Sequence, residues 1–161
     1  MHELLRRVAT LPERTFAAGE SLVNDGERGP ELYVLIEGTL EVRKLDARIS
    51  TITEPGACIG EVGLLLGTPA TATVVAVTPT RVHVAEDGAA LLHSDPEVTV
   101  LVARMLAERL NLVTTFLADL RHQYGGEGGS LAVVDQVLAN LVQRPGATAE
   151  PGSRRDPDPL Y

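Results

Sequence analysis

Gly60-Glu61-Val62-Gly63-Leu64-Leu65-Leu66-Gly67-Thr68-Pro69-Ala70-Thr71-Ala72-Thr73-Val74 is the stretch on which the fold turns. Glu61–Leu66 is rich in Leu and poor in β-branched residues, so it reads as a single helical turn and not as another strand. Gly67-Thr68-Pro69 then returns the chain to a strand that begins at Thr71. A helix start preceded by glycine presents free backbone N–H groups and the positive end of a helix dipole, which suits an anion. A carboxylate in the same turn, Glu61, can accept hydrogen bonds from a sugar hydroxyl. The same spacing also serves two tight turns with a solvated Glu61, and the residues by themselves leave both readings open.

Around this stretch the chain has the texture of short strands. From Thr15 to Val84 it breaks into apolar or β-branched runs such as Glu31–Ile36, Thr39–Lys44, Ser50–Thr53, Thr71–Val77 and Arg81–Ala85. Turn formers separate them at Gly19, Asn24-Asp25-Gly26, Gly29-Pro30, Gly38, Pro55-Gly56 and Thr78-Pro79, the pattern of a β-sandwich or barrel. Aromatic residues make up only 3% of the chain and Trp is absent, so Val, Leu, Ile and Ala must build the core. Before the strands, Leu4, Leu5, Val8 and Leu11 predict a short helix stopped by Pro12.

After Glu86 the period becomes helical. Asp87-Gly88 opens a short helix over Ala89–His93, and Asp95-Pro96 has the form of an N-cap followed by proline at the first helical position. Pro96–Tyr124 contains no Gly and no further Pro, and Leu106, Leu110, Val113, Leu117 and Leu120 are spaced 4, 3, 4, 3 as a short heptad seam. Residues 125–130 read as a Gly-rich hinge, 131–144 as a further amphipathic helix on Leu131, Val134, Leu138 and Leu141, and 145–161 as a disordered tail. Strands first and helices afterwards define a mixed α+β domain with a β core, occupying residues 1–124.

Composition removes several classes of function. A chain of 161 residues with formal charge −8 lacks the basic footprint that phosphate backbones or anionic lipids require. No apolar run is long enough to span a bilayer, and Met1-His2-Glu3 lacks the basic flank and apolar core of a signal peptide, so the expected compartment is the cytoplasm. The single Cys58 excludes an internal disulfide and a Cys-based zinc site, and it reads as a small buried residue. His2, His83, His93 and His122 include no pair at metal-ligand spacing, and no serine sits in a nucleophile-elbow frame. No catalytic residue, metal ligand or cofactor is expected.

The quoted stretch, taken with Phe16-Ala17-Ala18-Gly19-Glu20, Gly26, Leu32-Tyr33-Val34-Leu35-Ile36-Glu37-Gly38, Glu41-Val42 and Pro55-Gly56-Ala57-Cys58-Ile59-Gly60-Glu61, resembles the cyclic-nucleotide-binding domain of catabolite activator proteins, kinase regulatory subunits and nucleotide-gated channels. The resemblance covers roughly Leu11 to Leu120. It implies an eight-stranded β-roll of double-stranded jelly-roll type, with a short N-terminal helix, a phosphate-binding cassette helix, a long C-terminal helix and one further helix. It also implies a cyclic nucleotide, cAMP or cGMP, with its ribose on Glu61 and its phosphate against the amides of Gly60, Val62 and Gly63. Thr114 and Thr115 fall where the long helix reaches the base.

One departure bears directly on function. The residue after the cassette proline is an arginine in the family and pairs with the cyclic phosphate, whereas here it is Ala70, followed by Thr71 at the hydroxyl position. Losing a charge-assisted arginine contact costs about 3–5 kcal/mol, roughly 10²–10⁴ in affinity. Arg81 and His83, on the next strand, are the nearest basic replacements in sequence. The basic winged helix-turn-helix that follows the hinge in catabolite activators is also missing, so direct DNA binding is not expected. The reading is therefore a stand-alone regulatory sensor module that binds a cyclic nucleotide or other phosphorylated ligand weakly. Its partner would be a second copy along the long helix or a separate effector protein. The alternative is a ligand-free module that serves only dimerisation or protein docking.

Overall fold

The computed structural model describes residues 2–45 and 47–124. The chain runs α1 (His2–Arg7), β1 (Glu13–Phe16), β2 (Ser21–Val23), β3 (Leu32–Glu37), β4 (Leu40–Lys44), β5 (Ala47–Ile52), β6 (Cys58–Ile59), α2 (Glu61–Leu66), β7 (Thr73–Ala76), β8 (Thr80–Ala85), α3 (Gly88–Ser94) and α4 (Pro96–Tyr124). The eight strands form two four-stranded antiparallel sheets, ordered β1-β8-β3-β6 and β2-β7-β4-β5. This is the expected β-roll. The chain divides into two units, Met1–Glu108 and Arg109–Tyr161, the boundary falling inside α4. The expected hinge at 125–130, helix at 131–144 and tail at 145–161 lie outside the described residues.

β3 explains why the roll needs its helices. Its residues alternate between two apolar environments, as side chains on successive strand positions must. Tyr33 and Leu35 face the other sheet and join Leu22, Leu40, Val74, Ala76, Val82 and Val84 in the roll interior. Leu32 and Val34 face the opposite way and join Cys58, Ala85, Leu4, Val8, Val98, Val102 and Met105 in a second core beneath the helices. A strand buried on both faces reads as a continuous apolar run, which is how Leu32–Ile36 looks in the sequence.

The helices begin where the sequence places them. The Asp87 carboxylate accepts from Ala90 N–H at 2.8 Å and caps α3. Asp95 Oδ1 accepts from Glu97 N–H at 3.1 Å and Val98 N–H at 3.2 Å, so Pro96 occupies the position whose N–H is not needed. Within the first unit α4 meets the second core through Val98, Val102 and Met105, spaced 4 and 3, with Leu101 and Leu106 half-buried alongside. The 106–120 seam therefore starts on a stripe beside the one that packs on the roll.

Observed strands differ from the expected ones mainly at their ends. β5 begins at Ala47 and not at Ser50, because its first five residues are exposed and carry no apolar alternation to reveal them. β7 begins at Thr73 and not at Thr71, the preceding residues being held in the cassette exit. Cys58 is buried as expected.

Arg7 ties α1 to the start of α4, its Nε 3.0 Å from Asp95 Oδ2 and its Nη1 3.0 Å from Glu97 Oε2. The Arg7 hydrogen bond, aided by the Val98 amide, holds the Asp95 carboxyl below its ordinary range. A lowered folded-state value means that the contribution is present above the unfolded value and is lost as pH falls through the folded one. Asp95→Asn, which keeps a capping side chain but removes the charge, should therefore be less stable than the parent at neutral pH. Urea denaturation across pH 2–7 should show the gap closing below about pH 4; a gap that widens in acid would contradict this pairing.

Candidate functional site

The cassette starts at the edge of a sheet. β6 pairs with β3 through Tyr33↔Ile59 and Val34↔Cys58, and the chain then leaves the sheet at Gly60. Gly60 has φ 93° and ψ −11°, and a Cβ there would lie 2.8 Å from Glu31 O. Only glycine satisfies both the left-handed backbone and that approach. α2 follows as the expected single helical segment and ends at Gly67, φ 64°, whose N–H donates to Gly63 O. Thr68 N–H donates to the same carbonyl at 3.1 Å. Leu64 packs on the core beneath the helices, while Val62, Leu65 and Leu66 are exposed.

Glu61 is the first residue of this helix and is only 3% exposed. The reading in which it is merely solvated is thereby set aside. Burying a carboxylate is costly unless polar partners surround it, so apolar packing alone does not explain a buried Glu61.

The exit of the cassette is fixed by a loop that sequence reasoning did not connect to it. Gly26 N–H donates to Ala70 O and Ala70 N–H donates to Glu27 O, both at 2.8 Å. Arg28 Nη1 donates to Gly67 O at 2.9 Å, and Asp25 N–H donates to Thr73 Oγ1 at 3.0 Å. With Gly60 resting on Glu31 O, the loop 25–31 thus grips the cassette at its start, its middle and its end. Ala70 is half-buried and engaged through its backbone; Thr71 is exposed, and its hydroxyl makes no hydrogen bond among the described residues. Thr68 Oγ1 is buried and has no hydrogen-bond partner among the described residues, the kind of group that a bound molecule or water satisfies. The only advance sign of this arrangement was the turn signal Asn24-Asp25-Gly26.

The two basic candidates from sequence do not stand at the cassette. Along β8, Val82 and Val84 point into the roll, so Arg81 and His83 lie on the opposite side of the sheet. Arg81 is paired with Glu13 and Glu37, each at 3.3 Å, and buried His83 sits with Nδ1 3.2 Å from Leu11 O. Arg81 is in register with Glu37, the last residue of β3, whereas Gly60 touches Glu31 just before β3 starts, a separation of about 20 Å along the strand. The arginine beside the cassette is Arg28, which has no ion pair with a carboxylate among the described residues. In the second unit, Thr114 and Thr115 bond back to Leu110 O and Asn111 O of their own helix, at 2.8 and 2.9 Å. Among the described residues, no helix is long and apolar enough to cross a membrane.

Comparison with known proteins agrees with this geometry. Residues 13–91 match the cyclic nucleotide-binding domain family. The chain is 32% identical over 160 residues to the CRP-like cAMP-activated global transcriptional regulator of Mycobacterium tuberculosis, covering 84% of this chain and 71% of the regulator. It is 30% identical over 71 residues to the cAMP-dependent protein kinase regulatory subunit of Eremothecium gossypii, where the match spans 44% of this chain and only 15% of the subunit. Among solved structures, Thermus thermophilus catabolite activator protein superposes with a TM-score of 0.59 at 26% identity, covering 74% of this chain and 60% of that one. With a β-roll, a glycine-bounded cassette and these relatives, the chain belongs to the cyclic nucleotide-binding domain family.

The two cassette glycines make a test of the geometry. Gly60→Ala combines left-handed strain with a collision against backbone and should cost about 2–4 kcal/mol. Gly67→Ala has no atom within 4 Å of the new methyl and should cost only the strain, about 1 kcal/mol. Thermal denaturation of the two variants checks the order; equal losses would contradict the contact with Glu31.

Proposed function

We propose that this chain is a regulatory module that senses a cyclic nucleotide, cAMP or cGMP, with low affinity. Gly60, Val62 and Gly63 would face the phosphate through their amides, and Glu61 would accept from the ribose hydroxyl. Thr71 would offer a hydroxyl, and Ala70 stands where a cation is expected. The observation that carries this reading is the combination of a buried Glu61 with an Ala70 held only by its backbone. The backbone cradle would thereby be kept without a guanidinium at position 70, leaving Arg28, which donates to Gly67 O, as the cation beside it. An anion held by amides and a hydroxyl, without a paired guanidinium, is bound more weakly by about 10²–10⁴.

The output would pass through protein contacts and not through DNA. The chain carries a formal charge of −8, and the 109–124 part of α4 exposes Leu110, Leu112, Val113 and Phe116. An apolar helical face of this kind supports a homodimer or an effector protein as the partner. No catalytic role is proposed. The same Ala70 also supports the second reading, a module that has given up its ligand and acts only in dimerisation or docking.

Calorimetric titration separates the two. The unmodified protein should bind cAMP or cGMP in the millimolar range, and Ala70→Arg should tighten this by about 10²- to 10⁴-fold. Adding Glu61→Gln to Ala70→Arg should weaken it again by about tenfold, the worth of one hydrogen bond to a charged group. No binding by the unmodified protein, with binding created by Ala70→Arg, would establish the ligand-free reading. No binding by either would remove nucleotide sensing altogether.

A further inference from the structure

Arg28 reaches the last turn of α2 from outside the cassette, where burial does little to hold the chain. Leu64 is anchored in the core beneath the helices, but Leu65 and Leu66 are exposed. The ties of the loop to Ala70 are backbone bonds, whereas the tie to Gly67 O depends on an arginine side chain. That bond does not stop at Gly67. Gly67 O and Thr68 N–H belong to one peptide group, and this N–H donates to Gly63 O at 3.1 Å. Gly63 O and Leu64 N–H belong to another, and this N–H donates to Gly60 O at 3.3 Å. Arg28 thus heads a row of hydrogen bonds that runs back through α2 to the Gly60–Glu61 peptide at the opposite end of the cassette. All the bonds in the row point the same way, so each peptide that accepts becomes a better donor to the next. A cation on the last carbonyls also complements the helix dipole. The exposed guanidinium makes no ion pair with Asp25, Glu27 or Glu31, the carboxylates of its own loop, among the described residues. Glu27 accepts instead from Asn24 Nδ2 at 3.0 Å.

We infer that Arg28 is a positioning residue for the cassette, ordering through this row the amides that are proposed to face a ligand. Gly63 is the pivot. Its carbonyl accepts from both Gly67 N–H and Thr68 N–H, and its own N–H is one of the amides assigned to the phosphate. Without Arg28 the six-residue helix, too short to hold itself, opens from its end toward Gly63 while the two sheets stay closed. The inference rests on the nucleotide reading for the identity of the ligand, but the row itself is a property of the free chain. It assigns Arg28 no contact with the ligand, so it leaves the low affinity that follows from Ala70 in place.

The test uses the full chain with Arg28→Met, which keeps the stem and removes the donors, and Arg28→Lys, which keeps a charged donor. Amide hydrogen exchange without ligand comes first. Arg28→Met should speed exchange at Leu64 and Thr68 by about threefold to tenfold and leave β3 and β8 unchanged, and Arg28→Lys should retain most of the protection. Titration with cAMP, followed by amide shifts, comes second. Arg28→Met should weaken binding by about threefold to tenfold, and by the same factor when Ala70→Arg is also present. Unchanged exchange at Leu64 and Thr68 overturns the inference, and so does faster exchange with unchanged affinity. Exchange that rises equally in β3 and β8 overturns it by showing that Arg28 serves the whole fold. A loss of affinity confined to the chain with Ala70 overturns it by showing that Arg28 touches the ligand itself. Absence of binding by every chain, Ala70→Arg included, removes the nucleotide reading and the inference with it, whereas failure of the inference alone leaves cAMP binding in place.

Discussion

The two hydrogen bonds between Ala70 and the loop at Gly26 and Glu27 are the contacts on which the site depends. They tie the end of the cassette to the loop that leads into β3, while Gly60 rests on Glu31 O at the start of that strand. Arg28 closes the middle by donating to Gly67 O. One short loop thus sets the position of a helix only six residues long, which has too few internal hydrogen bonds to hold itself. β3 in turn is fixed on both faces, by the opposite sheet and by the helices, so the loop inherits a rigid base.

Ala70 is held to the loop through its amide and carbonyl, groups that do not depend on the side chain. Each backbone hydrogen bond contributes about 0.5–1.5 kcal/mol net, and none of that depends on residue type. The guanidinium expected at this position would add about 3–5 kcal/mol to ligand binding and little to folding. Fold and affinity are therefore separable at this residue. The chain keeps the architecture of a cyclic nucleotide-binding domain, and the weaker hold on a ligand that we propose rests on Ala70 alone. Arg81, the sequence-adjacent candidate for a replacement, is committed to Glu13 and Glu37 on the other side of its sheet.

Much of this was legible before the fold was known, and the parts that were not share a physical cause. Local signals were reliable. Asp87 and Asp95 act as caps where short polar side chains precede helical runs, and Gly60 and Gly67 bracket the helix that the leucines of Glu61–Leu66 announce. The division of β3 between two cores was hidden, because a continuous apolar run does not say which residue faces which way. The start of β5 was hidden because exposed strand residues leave no alternation. Contacts across long sequence separations, Glu27 with Ala70 and Arg28 with Gly67, had no signature beyond a turn motif, since backbone pairing is indifferent to side chains. The side of β8 on which Arg81 lies required the sheet register. Whether Glu61 was buried required the packing around it.

The most direct test of a preserved cradle without its cation is an amide-resolved NMR titration of the unmodified protein with cAMP. Weak binding at the cassette predicts fast-exchange shifts that saturate in the millimolar range and centre on the amides of Gly60 to Gly63 and Thr71. Slow-exchange binding in the micromolar range would show that another group supplies the missing charge. Saturating ligand that leaves those amides unmoved would show that the cradle no longer receives a nucleotide, and either result would contradict the account.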